Sequence, residues 1–300
     1  MAIIRRNENF PERPVIVTIY GTPGIGKTSM ACTAENPILI DTDRGADRAC
    51  KRVDTILATG WNDVTKEEKE FANYKTVIVD TAKAVLDDYL MAYVIEQDYK
   101  LGKNKLKAYG AIGDEFKFFI NQRRSEGADL VIIAHAKEEK DGDTTKFSPD
   151  VTGGSKDLIL RISDQVGFIT TVNNKRMLTF EPTDRTIGKN VARIPSMEIP
   201  NENAPEYNTF MSEIIAKVKT SIHAQSIEQV EAQKQMDEFL LQVSDCTDSD
   251  GLMAVAAKCG DLTKSMKAAV GKLMKAKAAE LKLEYNKEAN AYIPIVPKNE

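Results

Sequence analysis

The sequence predicts an α/β protein with a mainly parallel sheet flanked by helices, followed by a small helical domain. Two observations lead to this fold class. Short apolar runs alternate with stretches of helical periodicity over most of the chain, and beyond Pro205 the strand patterns stop while the helical ones continue. We therefore expect a core domain over residues 1–225 and a helical C-terminal domain over residues 226–300.

Four aliphatic runs predict buried parallel strands, because strands covered on both faces read as continuous apolar segments. These runs lie at residues 15–20, 38–40, 75–80 and 130–134, and helical patterns occur at residues 28–35, 64–72, 83–98 and 110–125. A further pair of strands at residues 165–172 and 175–180 is separated by Asn173-Asn174, a pair typical of two-residue hairpin turns. In such a sheet, ligands bind at the carboxyl ends of the parallel strands.

The C-terminal region is predicted to be helical throughout. The helical patterns lie at residues 207–219, 226–243, 249–257 and 262–283. The last of them is basic and carries lysines at positions 264, 267, 272, 275 and 277. Two interpretations of this series remain open, a solvated helix face and a surface for nucleic acid or a protein partner.

Composition and charge restrict the class of protein. With 300 residues, 42% of them hydrophobic and 29% charged, the chain is long enough for one large domain and a smaller one. The formal net charge of -4 identifies no partner, because a nucleic-acid surface can be local. No apolar stretch approaches the roughly 20 residues of a membrane helix, and the first residues lack a signal-peptide core, so we expect a cytoplasmic protein. With four scattered cysteines and two histidines, we expect neither a disulfide framework nor structural zinc.

A phosphate-loop pattern, G-x-x-x-x-G-K-[ST], follows the first predicted strand and precedes the first predicted helix. In such a loop the glycines let backbone N–H groups turn toward the phosphates, Lys27 reaches the outer phosphates, and the Thr28 hydroxyl ligates Mg²⁺. The alternative is a glycine-rich turn without a chemical function. We expect a nucleoside triphosphate to be bound by Gly21, Thr22, Pro23, Gly24, Ile25, Gly26, Lys27, Thr28 and Ser29.

Polar residues at the carboxyl ends of the other strands complete the predicted site. Asp80 ends the third strand, at the Walker B position, where it would hold Mg²⁺ together with Thr28; an ordinary acidic strand end is the alternative. Asp41 and Asp43 lie at the end of the second strand; we expect only one of them to face the γ-phosphate, and either could instead cap residues 45–49. His135 follows the fourth strand and is either a γ-phosphate sensor or a structural residue.

The order of these parts resembles the RecA-like recombination ATPases, and more specifically the short phage members, the Sak-type single-strand annealing proteins, over about residues 10–200. The resemblance implies a RecA-like core, ATP and Mg²⁺ as cofactors, DNA-stimulated ATP hydrolysis and a phage-encoded protein in the host cytoplasm. Ile40-Asp41-Thr42-Asp43 resembles the family stretch whose last carboxylate activates water. By this resemblance Asp43 is the general base, an aspartate where RecA has a glutamate.

The resemblance also implies two mobile DNA-binding loops. Residues 99–113 fall at the position of the first loop, and residues 137–154, which end in a Thr-Gly-Gly element, fall at that of the second. Single-stranded DNA would be bound through phosphates and a stacked aromatic ring. The alternative is a pair of flexible surface connectors. The DNA-binding residues implied are Lys103, Lys105, Lys107, Lys140, Lys146 and Phe147.

Residues 186–193 resemble the RecA segment whose basic residues reach the γ-phosphate held by a neighbouring subunit. Lys189 matches this role best, which implies subunit-shared catalysis in a homo-oligomeric ring or filament. A second hypothesis is a nucleotide-switched loader of phage replication that binds a single-strand-binding protein or a replication factor through residues 226–300. A small-molecule kinase is less favoured, because no arginine-rich lid follows the fourth strand.

Overall fold

The computed structural model describes residues 3–141 and 144–295. The chain forms two compact units. One, the core unit, is Pro11–Ile222, and the other, the C-terminal unit, combines His223 onward with the residues up to Phe10. The predicted domain boundary after residue 225 falls inside a continuous helix, Phe210–Asp245, and stays a prediction.

The core unit is built on a mainly parallel sheet. Its strands are β1 Ile16–Gly21, β2 Pro37–Asp41, β3 Asp54–Leu57, β4 Thr76–Asp80, β5 Asp129–Asp141, β6 Thr144–Pro149, β7 Gln165–Val172, β8 Lys175–Thr179, β9 Lys189–Asn190 and β10 Met197–Glu198. Their order is β10-β8-β7-β1-β5-β4-β2-β3, with β6 beside β5 and β9 beside β7. The strands from β7 through β1, β5, β4 and β2 to β3 run parallel, which confirms the predicted sheet.

Helices cover both faces of this sheet. They are α1 Lys27–Ala31, α2 Trp61–Lys66, α3 Leu90–Gln97, α4 Lys105–Ser125, α5 Gly153–Ile162 and α6 Phe210–Asp245, with a π-helical stretch at Ala84–Tyr89 before α3. Successive β1 residues face opposite layers: Ile16 belongs to the hydrophobic cluster that contains Trp61 and Phe116, whereas Val17 belongs to the one that contains Met30 and Tyr207. The predicted burial of the sheet on both faces is therefore confirmed.

The C-terminal unit has a separate hydrophobic core. It contains the distal part of α6, α7 Ser249–Lys258, α8 Lys264–Glu280 and a hairpin of β11 Leu283–Asn286 and β12 Ala291–Pro294. Phe239, Leu252, Val255, Val270 and Met274 form its centre. The predicted helical character is confirmed, but the two helices predicted between residues 207 and 243 are one helix, α6. In the described part of the chain, none of the helices combines the length and the apolarity needed to cross a bilayer.

The predicted first DNA loop is wrong as a loop. Residues 99–103 form a 3-10 turn, and α4 begins at Lys105 rather than near residue 110. The Asn104 side chain caps this helix by accepting a hydrogen bond from the Lys107 N–H. Ala108 and Ile112 are buried at helical spacing, so packing keeps Gly110 within the helix despite its low propensity.

The predicted second loop is also wrong as a mobile connector. β5 continues to Asp141 and pairs with β6 in an antiparallel ladder that aligns Glu138 with Phe147. The half-buried Phe147 ring stacks on Phe168 with centroids 5.4 Å apart, so this ring belongs to the packing of the core unit. Gly153 and Gly154 begin α5 instead of closing a loop.

Several short sheet elements were not predicted, and β3 and the hairpin β11–β12 are two of them. β3 is a four-residue edge strand whose Leu57 is exposed, and its sequence has too few apolar residues to stand out. The hairpin β11–β12 lies at and beyond the end of the last predicted helix. By contrast, the predicted turn at Asn173-Asn174 is confirmed, since both residues have positive φ angles and Val172 pairs with Lys175.

Candidate nucleotide site

The phosphate-loop sequence connects β1 to α1 at the carboxyl edge of the sheet. Its conformation depends on glycine at two positions, Gly24 and Gly26, whose φ angles are +75° and +92°. A Cβ atom at Gly26 would also collide with the guanidinium of Arg176. That guanidinium contacts the loop from the side of β8 and donates to the Ile25 carbonyl at 3.5 Å. The sequence pattern therefore forms the predicted loop.

Lys27 lies at the base of this loop with its ammonium group fully engaged. It donates to the carbonyls of Gly21 and Thr22, each at 2.9 Å, and its Nζ lies 3.4 Å from Nδ1 of His135. Burial lowers the pKa of Lys27, and the nearby carboxylates of Asp80 and Asp43 oppose that effect. An ammonium group has three donors, so a phosphate oxygen must replace at least one of these partners.

Thr28 and Asp80, the two residues predicted to hold Mg²⁺, are hydrogen-bonded to each other. The Thr28 hydroxyl donates to Oδ2 of Asp80 at 2.6 Å. Burial raises the pKa of Asp80 to about 6; the hydrogen bond from Thr28 opposes this, and the charges of Asp43 and Asp41 add to it. The described residues include no cluster of three or more His, Cys, Asp or Glu side chains suited to a metal. The hard oxygen pair Thr28–Asp80 suits Mg²⁺ that takes its other ligands from phosphates and water.

The two aspartates after β2 have different surroundings. Asp41 is buried and accepts hydrogen bonds from the backbone N–H groups of Asp43, Gly45 and Ala46 at 2.9–3.2 Å, so it fixes the turn that follows β2. Asp43 instead lines the cavity beside the phosphate loop, and its Oδ2 lies 3.5 Å from Nε2 of His135. Of the two candidates, Asp43 is the one the fold brings to the site.

A cavity of about 600 Å³ joins these groups. Four of its lining residues, Gly45, Arg48, Ala49 and Glu202, were not predicted. Arg48 comes from the turn that Asp41 holds, a position that the proximity to Asp43 could have signalled. Glu202 comes from beyond β10 and accepts from Arg176 at 3.1 Å; no local sequence signal indicates that contact. The full lining is Pro23, Gly24, Gly26, Lys27, Thr28, Ser29, Asp43, Gly45, Arg48, Ala49, Asp80, His135 and Glu202.

Comparison with known proteins agrees with this geometry. The AAA domain family matches residues 13–192. The chain belongs to the AAA domain family. The SPbeta prophage-derived uncharacterized protein YorG of Bacillus subtilis (strain 168) is 25% identical over 236 residues, which cover 74% of this chain and 68% of that protein. As a member of the AAA family, the chain has a P-loop nucleotide-binding core of the ATPase type.

Lys189 lies outside the cavity lining of the AAA domain. Its ammonium donates to the backbone carbonyls of Leu160, Arg161 and Ser163, at 3.3, 3.2 and 2.5 Å, where α5 ends. In this position it neutralises the negative end of the helix. Its role toward a neighbouring subunit's phosphate stays a prediction, and that role requires the ammonium to leave three carbonyls.

The lysines predicted to bind DNA are exposed at two places on the AAA domain, and none of them is among the residues that line the cavity. Lys103, Lys105 and Lys107 lie where α4 begins, and Lys140 and Lys146 lie on the β5–β6 hairpin. Exposed Tyr99 and Leu106 accompany the first group. Their DNA-binding role stays a prediction, whereas Phe147 is already stacked on another ring, as described above.

Proposed function

We propose that this AAA domain hydrolyses ATP. The observation that carries the proposal is one cavity that brings Lys27, Thr28 and Asp80 together with Asp43 and His135. Loop N–H groups and Lys27 hold the phosphates, and Thr28 with Asp80 holds Mg²⁺. When bound, Mg²⁺ neutralises charge that develops on the outer phosphates.

The proton chemistry belongs to Asp43 and His135. Nδ1 of His135 faces the Lys27 ammonium, which only donates, so the neutral ring carries its proton on Nε2. Nε2 of His135 lies 3.5 Å from Oδ2 of Asp43, so the ring stands beside this carboxylate. Asp43 then accepts a proton from the attacking water. A bound phosphate draws the Lys27 ammonium away from Nδ1 of His135. Because His135 also stands beside Asp43, the loss of this contact affects Asp43, and His135 thereby senses the phosphate.

We propose further that ATP turnover serves a single-stranded-DNA-binding recombination protein that promotes annealing or strand pairing. Support comes from the exposed lysines 103, 105 and 107 beside exposed Tyr99, since positive charge next to aromatic rings suits unpaired nucleotides. The prophage origin of the relative YorG is consistent with a phage protein of the Sak type. In this proposal the protein acts as a homo-oligomer, a ring or a filament, with ATP sites shared between subunits.

One observation favours a second candidate, a nucleotide-switched loader of phage replication. Leu240 and Leu241 are 52% and 61% exposed on α6 in the C-terminal unit, and adjacent exposed leucines suit a protein partner. In this case the C-terminal unit captures a replication factor or a single-strand-binding protein. Leu240→Ser/Leu241→Ser would abolish that capture and leave DNA binding unchanged.

ATP turnover with and without single-stranded DNA, measured across protein concentration, tests the leading proposal. DNA should raise turnover per subunit, and turnover should rise with concentration if subunits share the site. Binding should weaken steeply with salt as phosphate contacts release counterions. ATP turnover that single-stranded DNA does not change at low salt would contradict the recombination role and leave the ATPase proposal intact.

A further inference from the structure

α8 of the C-terminal unit has one face in the hydrophobic core and one face in solvent. Val270, Met274 and Ala278 recur at four-residue intervals and are buried in the core of this unit. These contacts fix the rotation of the helix about its axis. The buried positions therefore determine which residues of α8 face the solvent.

The outward face of α8 carries lysines, and small residues occupy other exposed positions of the helix. Lys264, Lys272 and Lys275 are exposed, and the exposed positions between and beyond them include Ala268, Gly271, Ala276 and Ala279. Lys264 and Lys275 are eleven positions, or about three helical turns, apart, so their side chains project from the same side of the helix. No bulky side chain stands between these ammonium groups, and an extended ligand can approach the helix backbone closely.

The charge of this segment is concentrated and largely unneutralised. Seven lysines and two glutamates occur between residues 264 and 287, in a chain with a net charge of -4. Within the described ranges, the one ion pair formed by these lysines is Lys277–Glu280 at 3.5 Å. The three outward lysines have no carboxylate partner there. A local cationic surface on an anionic protein attracts a polyanion.

An exposed aromatic ring lies on the strand that follows the lysine-bearing helix. Tyr285, on the strand that directly follows α8, is 47% exposed, and Tyr292 meets it edge to face with centroids 5.3 Å apart. The Tyr285 hydroxyl donates to Oδ1 of Asn290 at 2.5 Å, and this hydrogen bond orients the Tyr285 ring. An oriented, half-exposed ring on the element next to a lysine-bearing helix suits stacking on an unpaired base, whereas the bases of a duplex are covered by their neighbours.

We propose that the outward face of α8, together with Tyr285, binds single-stranded nucleic acid even when no ATP is bound to the AAA domain. The 17-residue helix is about 25 Å long, enough for several nucleotides. This surface belongs to the C-terminal unit, whereas the α4 lysines belong to the core unit. The proposal goes beyond the proposed ATPase function, since the surface holds the strand in every nucleotide state of the AAA domain.

The test uses the full-length protein without nucleotide and a fluorescein-labelled oligothymidylate, followed by anisotropy across a salt series. The variant Lys264→Gln/Lys272→Gln/Lys275→Gln should bind about 100-fold more weakly at ~0.1 M salt, and its log–log salt slope should be lower by about 2, because each phosphate contact on a single strand contributes about 0.7. The matched control, Lys66→Gln/Lys69→Gln/Lys234→Gln, removes the same charge from exposed positions elsewhere and should keep the wild-type slope. Circular dichroism checks that both variants fold.

Tyr285 provides the second arm. Tyr285→Ala should weaken oligonucleotide binding about fivefold or more, and Tyr285→Phe should retain it, since stacking needs the ring and not the hydroxyl. Equal salt slopes for the α8 variant and its control would overturn the proposal, as would a wild-type protein that does not bind the oligonucleotide at low salt. Duplex of equal length that binds as tightly, with Tyr285→Ala unchanged, would overturn the single-strand assignment. Binding of polyglutamate in place of the oligonucleotide would assign the face to an acidic protein.

Discussion

Replacing Asp80 by Asn should stabilise the nucleotide-free protein at alkaline pH while removing its metal site. Asp80 is 4% exposed, and burial raises its pKa to about 6 from an ordinary value of 3.8. Each pKa unit corresponds to about 1.4 kcal/mol, so the ionised carboxylate costs ~3 kcal/mol of folding free energy above pH 6. A neutral amide of the same shape avoids that cost.

The sign of the pH dependence follows from the direction of the pKa change. The folded state binds this proton more tightly than the unfolded state, so the contribution of Asp80 improves as the pH falls from about 6 to about 4. The advantage of Asp80→Asn should therefore be about 3 kcal/mol at pH 8 and vanish near pH 4. The difference between variant and wild type cancels the titration of every other group.

Urea unfolding in the presence of a chelator measures this difference. Trp61, the single tryptophan, is buried in the core unit and reports on its unfolding. Asp41→Asn is the matched control, because it exchanges the same groups where the carboxylate accepts three backbone hydrogen bonds, and it should lose about 1–3 kcal/mol. An Asp80→Asn protein that is no more stable than wild type at pH 8, or whose advantage does not depend on pH, would refute the burial argument.

Three further substitutions test the roles predicted for Asp43, His135 and Lys189. Asp43→Asn should lower ATP turnover at least ~100-fold with little change in ATP affinity, measured by phosphate release and by fluorescent-nucleotide binding; loss of affinity alone would remove its role as base. His135→Gln should also slow turnover without weakening binding, and full turnover would exclude the sensing role. Lys189→Ala should lower the free energy of unfolding by about 1–3 kcal/mol in urea, because three carbonyls lose a charged donor. Unchanged stability with abolished turnover would instead support action on a neighbouring subunit.

The sequence predicted best the elements that are specified locally. The phosphate loop requires positive φ angles at Gly24 and Gly26, and only a glycine pattern meets that requirement cheaply. Aliphatic runs indicate the buried strands, and Asp80 is at the end of one of them. Asp43 was favoured over Asp41 by resemblance alone, and its place in the cavity rests on backbone N–H groups that turn Asp41 inward.

The elements that the sequence did not predict depend on distant contacts. Glycines within residues 99–113 suggested mobility, yet the buried Ala108 and Ile112 carry α4 through them. The sequence predicts that Phe147 stacks on DNA, but tertiary packing places its ring against that of Phe168. Arg176 comes from β8 and Glu202 from beyond β10. The contact of Arg176 with the phosphate loop and that of Glu202 with Arg176 are known only once the sheet order is known.

Phosphate release from Mg-ATP by wild type and Lys27→Ala tests the central claim most directly. Lys27 is the cation that the loop holds beside Asp80, Asp43 and His135, so wild type should turn over ATP and Lys27→Ala should fall to the background rate. Lys66→Ala, which removes an exposed lysine paired with Asp63, should keep the wild-type rate. Turnover by Lys27→Ala at the wild-type rate, or none by the folded wild-type protein, would contradict the assignment of this cavity as an ATPase site.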